Sequence, residues 1–170
     1  MNTVELLENK IKTLDITAIN LLDYRPTVNL RDFDIAPHLY KGLIVREKEF
    51  KESIEKVDWL LYKDTAVSLF CAIDAIIPQW VYMFISAKLS PYTSLVSRKH
   101  QQEHLIDLWI EQVSRTDFTH LLGKRVVLKA NLKVPDAIYI TATNILLSYG
   151  VKTLMYGELG MPKVVFKQMD

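Results

Sequence analysis

Four residues have side chains that could bind a ligand or a metal ion, and they lie just after predicted strands or at the start of the next helix. They are Cys71, Asp74, Asp136 and Glu158. Thiolates and carboxylates are ligands for zinc and iron, and carboxylates also act as general acids or bases. Because open α/β sheets bind ligands beyond the carboxyl ends of their strands, we take all four as candidate ligand-binding residues, with Cys71 and Asp74 as candidate metal ligands.

The two aspartates also have structural interpretations. Asp74 precedes Pro78 by four residues, and a carboxylate near a helix N-terminus can cap free backbone N–H groups and offset the helix dipole. Capping is the commoner use of such an aspartate. Asp136 directly follows Pro135 and has the stronger case as an acid of the first helical turn. Cys71 has a structural interpretation too, because free cysteine is among the most buried residue types.

One short motif suggests a metallopeptidase. His100, Glu103 and His104 match the pattern in which two histidines four residues apart bind zinc and the glutamate acts as the base. That chemistry also needs a third protein ligand and a cleft for a peptide. The segment begins an amphipathic helix, and short motifs without structural context arise by chance, so we do not favour a peptidase.

Five aromatic residues could line a ligand pocket, since pockets favour aromatic walls. Large aromatic side chains at helical spacing more often belong to a hydrophobic core, and we favour that interpretation. The residues are Trp59, Trp80, Tyr82, Trp109 and Tyr139.

The longest apolar run of the chain, residues 65–89, predicts a buried strand followed by a buried helix. Residues 65–71 are rich in strand formers and apolar on both faces, as in a central strand covered on both sides. Pro78 suits the first turn of a helix, and residues 92–96 are again strand-like. A membrane-spanning helix is not favoured, because Asp74 and Pro78 interrupt the run.

The order strand, helix, strand returns later in the chain. Residues 124–130 are strand-like, Pro135 opens an apolar helical pattern, and residues 151–156 are strand-like again. Two repeated βαβ units explain this matched order. Because parallel strands joined through a helix cross over right-handed, we predict an α/β (or α+β) fold with a mixed sheet built from the two repeated βαβ units and an N-terminal α/β extension.

The remaining segments are predicted to form short elements. These are a helix over residues 3–13, a strand over 14–22, a turn or short helical segment over 30–38, a short strand or buried connector over 42–45 and a charged helix over 46–56. We predict one domain, residues 1–170. Within it, residues 58–98 form the first βαβ unit, residues 99–115 a linking amphipathic helix, and residues 117–157 the second βαβ unit.

Composition excludes several classes of protein. The 21 basic and 20 acidic residues nearly cancel, and no basic stripe is present, so we expect no nucleic-acid partner. A hydrophobic fraction of 49% is enough to fill the core of one domain. One cysteine excludes an internal disulfide framework, and the N-terminal residues do not resemble a signal peptide. We therefore predict a cytoplasmic protein.

Three blocks of sequence carry a resemblance to a known family: FDIAPHLYKGLIVREKEF at residues 33–50, CAIDAIIPQWVYM at 71–83 and MYGE at 155–158. They resemble an uncharacterised bacterial family, domain of unknown function 2480, over nearly the whole chain. The resemblance implies no activity, because none is established for the family.

The resemblance also implies further cysteines, one after the strand of the second repeat and one after the late glycine-glutamate pair. This chain has no cysteine at either place: the first corresponds to Ala130 or its neighbours, and the second to residues 159–160. Three cysteines with an aspartate would suit zinc or iron, whereas Cys71 and Asp74 alone are two ligands of the usual four. Either histidines supply the missing ligands or the site is lost. The histidines considered are His100, His104 and His120.

Two hypotheses about function follow. We prefer a non-catalytic cytoplasmic α/β protein that binds a small ligand or a protein partner, with a homodimer as one arrangement. It is favoured because the chain shows no pairing of a nucleophile with a base. The alternative is a metal-dependent enzyme or sensor that uses Cys71 and Asp74 at a strand C-terminal end, helped by Asp136 and Glu158. The sequence leaves open whether the protein is an enzyme.

Overall fold

The computed structural model describes residues 16–158 and 160–169 of the chain. The strands in this part are β1 (Ile16–Ile19), β2 (Asn29–Asp34), β3 (Thr65–Phe70), β4 (Val96–Ser97), β5 (Arg125–Lys129), β6 (Thr153–Gly157) and β7 (Lys163–Lys167). The α-helices are α1 (Glu47–Ile54), α2 (Gln79–Leu89), α3 (Gln101–Arg115) and α4 (Asp136–Ser148). Short 3-10 helices cover Leu21–Tyr24, Ala36–His38, Trp59–Tyr62 and Thr119–Leu121.

Strands β1, β5, β6 and β7 form one sheet in that order. β1, β5 and β6 run parallel, and β7 is antiparallel to β6. Val126 in β5 pairs with Thr17 on one side and with Leu154 on the other. This mixed sheet, together with the helices, confirms the predicted α/β class.

A second, fully parallel sheet contains β2, β3 and β4, with β3 in the centre. Leu69 pairs with Phe33 of β2, and Val67 pairs with Val96 of β4. The first five residues of β3 are buried. A strand with neighbours on both edges and covered faces needs apolar residues at successive positions, so the predicted central strand over residues 65–71 is confirmed.

Both predicted helix starts at prolines are confirmed to within one residue. Pro78 is the N-cap of α2, with φ −61° and ψ 146°, and Pro135 is the N-cap of α4, with φ −62° and ψ 149°. Proline tolerates these positions because it has no N–H to leave unpaired. α2 lies in the chain between the parallel strands β3 and β4, and α4 between β5 and β6. That the two segments are copies of one βαβ unit stays a prediction.

The apolar run that raised the question of a membrane span does not form a long helix. Its helical part, α2, has 11 residues. Across residues 16–158 and 160–169, no helix has both the length and the apolar character that crossing a bilayer requires.

The chain divides into two compact units, and each has its own hydrophobic core. The first unit is Met1–Pro26 together with Ile106–Asp170, and the second is Thr27–Leu105. The single-domain organisation stays a prediction. Core residues of the first unit include Leu21, Trp109, Phe118, Ile138, Ala142 and Leu146. Core residues of the second unit include Phe33, Phe50, Trp59, Val81, Ile85 and Leu89.

Several local predictions need correction. Residues 29–34 form strand β2, so the turn predicted over 30–38 is wrong for its first part, although Ala36–His38 is a short 3-10 helix. Residues 42–45 contribute only an isolated bridge between Tyr40 and Ile44. They are not a buried connector, because Leu43 and Ile44 are 63% and 58% exposed. Strand β7 was not predicted. Its sequence, KVVFK, has three consecutive apolar residues and no apolar–polar alternation, and all five residues are exposed. The helix predicted over residues 3–13 lies outside the described residues.

The ends of β2 and β3 are joined by a single carboxylate. Asp34 Oδ1 accepts hydrogen bonds from the backbone N–H of Ala36 at 2.9 Å and of Ala72 at 3.0 Å. Nearby, His38 Nδ1 lies 2.8 Å from Ser53 Oγ, and its ring stacks on Phe33 with 5.4 Å between centroids. Burial lowers the pKa of His38, while the charge of Asp34 acts in the opposite direction.

This lowered pKa predicts a loss of stability in mild acid. As the pH falls, His38 in the unfolded chain binds a proton near the ordinary pKa of 6.5, whereas His38 in the native state binds one only at a lower pH. The contribution of His38 to stability is therefore complete above that value and is lost as the pH falls through the native pKa. We expect the Tm of the wild-type protein to fall as the pH falls through this range. The Tm of His38→Phe should fall less, because phenylalanine keeps an aromatic ring but cannot titrate. Calorimetry at a series of pH values gives both slopes, and equal slopes would contradict the prediction.

Candidate functional site

Cys71 and Asp74 lie in the loop that follows β3, in the second unit. Cys71 is a half-buried free thiol, and Asp74 is exposed. Asp74 does not cap α2, because the N-cap residue is Pro78 and no side chain makes a capping hydrogen bond there. The capping interpretation of Asp74 is therefore wrong. The carboxylate that binds backbone N–H groups at this end of the sheet is Asp34.

Asp136 and Glu158 lie in the first unit, so the four predicted residues divide between the two units. Asp136 is the first residue of α4, which confirms its prediction as an acid of the first turn. Glu158 directly follows β6, and both carboxylates are exposed. Asp136 lines a pocket that is described below, whereas Glu158 does not.

Within residues 16–158 and 160–169, no three side chains of histidine, cysteine, aspartate or glutamate are grouped so that they could hold a metal ion. In the motif that resembles a zinc peptidase, His100 is exposed and precedes α3, whereas His104 is 4% exposed inside the helix. A zinc or iron site at Cys71 and Asp74 stays a prediction that has no third ligand in the described part of the chain.

A pocket of about 550 Å³ opens in the first unit, near the ends of β5 and β6. Its walls come from the loop after β5, from one side of α4 and from β6 and β7. The lining residues are Leu128, Asn131, Leu132, Val134, Asp136, Tyr139, Ile140, Thr143, Asn144, Leu154, Met155, Tyr156 and Val165.

The pocket has a buried apolar floor and an exposed apolar rim. Leu128, Leu154 and Met155 are each no more than 3% exposed. Leu132 and Ile140 at the rim are 107% and 63% exposed. A ligand seated here would cover the rim side chains and rest on a surface that is already packed. Covering apolar surface is favourable by about 25 cal/mol per Å².

Helix α4 supplies both the core and the pocket, from two adjoining faces. Ile138, Ala142 and Leu146 are fully buried in the core of the first unit. Asp136 and Ile140, four residues apart, lie on the neighbouring side and line the pocket. Residues three or four apart share one face of a helix, so the helical repeat places Asp136 and Ile140 together on the face that lines the pocket.

The wall formed by the loop after β5 is held by the hydroxyl of Tyr139. This hydroxyl donates to the backbone carbonyl of Lys129 at 2.8 Å and accepts from the backbone N–H of Asn131 at 3.0 Å. Burial raises the pKa of Tyr139, while the Asn131 hydrogen bond acts in the opposite direction. The phenol is therefore protonated at neutral pH and can donate. The Asn131 Oδ1 in turn accepts from the backbone N–H of Lys133 at 2.9 Å, which continues the turn.

Two tyrosine rings meet at the pocket. Tyr139 and Tyr156 pack edge to face, with 5.3 Å between ring centroids and 82° between ring planes. Tyr156 is 39% exposed. Of the aromatic residues that the sequence singled out, Tyr139 lines the pocket, whereas Trp59 and Trp109 are core residues.

The sequence indicated two of the lining residues, Asp136 and Tyr139, and missed the others. A signal was available in α4, because Asp136, Ile140 and Thr143 recur at spacings of four and three beside the core stripe. No comparable signal exists for Tyr156 and Val165. Their places depend on the pairing of β6 with β5, which is distant in the sequence, and with β7, which the sequence analysis did not predict.

A second depression, of about 600 Å³, lies in the second unit and has a mainly polar lining. Its two aliphatic members are Leu30 and Leu61, and Leu61 is 53% exposed. This depression therefore offers a ligand little apolar surface to bury. The lining residues are Asn29, Leu30, Arg31, Asp32, Leu61, Lys63, Thr65 and Gln101.

Removal of the Tyr139 hydroxyl tests whether it holds the pocket wall. Tyr139→Phe deletes two hydrogen bonds and leaves the Asn131 N–H without its acceptor, so we expect a loss of about 1–2 kcal/mol in the free energy of unfolding. We also expect faster amide exchange at Asn131. Tyr149→Phe is the matched control, since the Tyr149 ring packs on Phe118 and its hydroxyl makes no hydrogen bond among the described residues. Equal effects of the two variants would contradict this role.

Comparison with known proteins gives one match. The model of a family described as "Protein of unknown function (DUF2480)" matches residues 5–168. Neither the comparison with curated proteins nor that with solved structures finds a match.

Proposed function

The chain belongs to the DUF2480 family of proteins of unknown function, so its role has to be argued from its own residues, and we propose that it binds a small, mainly apolar molecule in the pocket of the first unit. The observation that carries the proposal is the combination of a floor buried to 3% exposure or less with a rim of exposed aliphatic side chains. A volume of about 550 Å³ lies within the range of small-molecule sites, about 300–1,000 Å³.

The place of the pocket supports the proposal. Open α/β sheets bind their ligands beyond the carboxyl ends of parallel strands, and β5 and β6 are parallel neighbours that both end at the pocket. Its polar groups are few, as expected of a site where apolar walls give affinity and a small number of polar atoms orient the ligand. They belong to Asn131, Asp136, Thr143, Asn144 and Tyr156.

A charge placed at the rim tests the proposal. Ile140→Lys adds a hydrated ammonium group to the pocket, so we expect the affinity for a neutral fluorescent dye such as phenylnaphthylamine to fall about tenfold or more, the equivalent of about 1.4 kcal/mol. Titration of the dye fluorescence measures this. Met83→Lys is the matched control, because Met83 is an exposed residue of α2, 72% exposed, in the second unit.

Three outcomes are decisive for this experiment. Dye binding by wild type and by Met83→Lys, with weak binding by Ile140→Lys, supports the pocket. No binding of the dye by wild type contradicts the proposal. Equal binding by all three proteins contradicts it as well, because the dye would then bind elsewhere.

A second candidate function, self-association through strand β7, is favoured by one observation. β7 is an edge strand of its sheet, and Val164 and Val165 are 61% and 57% exposed. An edge strand presents unpaired backbone N–H and C=O groups that can pair with another strand. Residues 151–156 do not offer a free edge, because β6 lies between β5 and β7.

Charging this edge strand tests self-association. If two copies pair through β7, Val164→Lys, which is outside the pocket lining, should shift the protein toward the monomer. Sedimentation at several concentrations, with Met83→Lys as the control, measures the shift. A monomer in wild type at all concentrations, or a dimer that Val164→Lys leaves intact, would contradict a β7 interface.

The remaining hypotheses about function and location still rest on the sequence. A metal-dependent enzyme or sensor at Cys71 and Asp74 would need further ligands to join them. The cytoplasmic location and the absence of a nucleic-acid partner rest on composition and on the N-terminal sequence alone.

A further inference from the structure

The charge of the pocket indicates which class of small molecule it would select. Asp136 is the one charged residue in its lining, and the rest of the lining is aliphatic, aromatic, amide or hydroxyl. Among residues 16–158 and 160–169, the Asp136 carboxylate makes no hydrogen bond and no ion pair with a side chain. A ligand would therefore meet one carboxylate, and no basic side chain belongs to the lining.

The helix dipole acts against this charge but does not cancel it. Asp136 is the first residue of α4, where the dipole is equivalent to about +0.5 elementary charge. The carboxylate carries a full unit of negative charge, so the sum at this end of the pocket stays negative. An anionic ligand group is disfavoured there, and a cationic group is favoured.

The tyrosine rings act in the same direction as the carboxylate. The faces of aromatic rings attract cations within about 6 Å. Tyr156 is partly exposed at the pocket and packs against Tyr139. The Tyr139 hydroxyl is already used by Lys129 and Asn131, so this residue offers a ligand its ring rather than its O–H group.

We infer that the pocket of the first unit selects amines with an apolar body over alcohols and carboxylic acids of the same shape, with Asp136 as the counter-ion of the ammonium group and the buried floor in contact with the hydrocarbon. This inference rests on the proposed function, because it names the ligand class of the same pocket.

The test is a competition experiment with three probes of one shape. Octylamine, octanol and octanoate are each used to displace the neutral dye from the wild-type protein at neutral pH. Because Asp136 is exposed, its ion pair is worth less than about 1 kcal/mol, and we expect octylamine to bind about threefold to fivefold more tightly than octanol. Octanoate should bind more weakly than octanol.

Two variants assign the preference to Asp136. Asp136→Asn should reduce the preference for octylamine over octanol to about one. Glu158→Gln removes the same charge from an exposed residue outside the lining, and it should keep the preference. Added salt should weaken octylamine binding and leave octanol binding nearly unchanged, because exposed ion pairs are screened.

The outcomes separate the two levels of the proposal. If the dye binds and the three probes compete equally for the wild-type protein, the inference is overturned. It is also overturned if Glu158→Gln and Asp136→Asn lose the amine preference alike. In both cases the pocket is still a binding site. If neither the dye nor any probe binds, the proposed function itself is overturned. If Asp136→Asn does not fold, the wild-type order of affinities still tests the preference for amines.

Discussion

The pocket of the first unit depends on one phenolic hydroxyl. Tyr139, on α4, reaches back to the end of β5, donates to the Lys129 carbonyl and accepts from the Asn131 N–H. These two bonds fix the segment between strand and helix as a wall. The ring of the same residue packs against Tyr156 of β6, so one side chain joins the loop, the helix and the neighbouring strand.

The parallel topology explains why the pocket lies at this place. Two parallel strands in one sheet need a connection that returns along the sheet, and α4 provides it between β5 and β6. The loop that enters the helix must then lie at the carboxyl ends of the strands. Because Ile138, Ala142 and Leu146 bury one stripe of α4, the adjoining stripe is left beside the strand ends, where it forms a pocket wall.

Much of this architecture could be predicted from local patterns. The apolar stretch that contains β3 and the prolines before α2 and α4 are strong signals, since they depend on burial and on the missing N–H of proline. β2 and β7 escaped prediction because little of either strand is buried: one of six residues in β2 and none of five in β7. In β2, Phe33 is buried, but the aspartates on both sides of it are typical of turns, and the segment was therefore predicted as a turn.

The candidate site was predicted only in part, for a related reason. Asp136 was recognised because a carboxylate beside a proline is a local feature, but Tyr156 and Val165 reach the pocket only through strand pairing. Cys71 and Asp74 were chosen by residue type, and they lie in the other unit, in a loop where the described residues form no cluster of metal ligands.

The proposed ligand site of the first unit lies between α4 and the ends of β5 and β6. The most direct measurement is amide NMR of the full chain during a titration with octylamine. We expect the shifted amides to cluster in residues 131–144 and 154–156 and the shifts to saturate. Saturating shifts that cluster in residues 27–105 instead, or no saturating shifts at all, would contradict it.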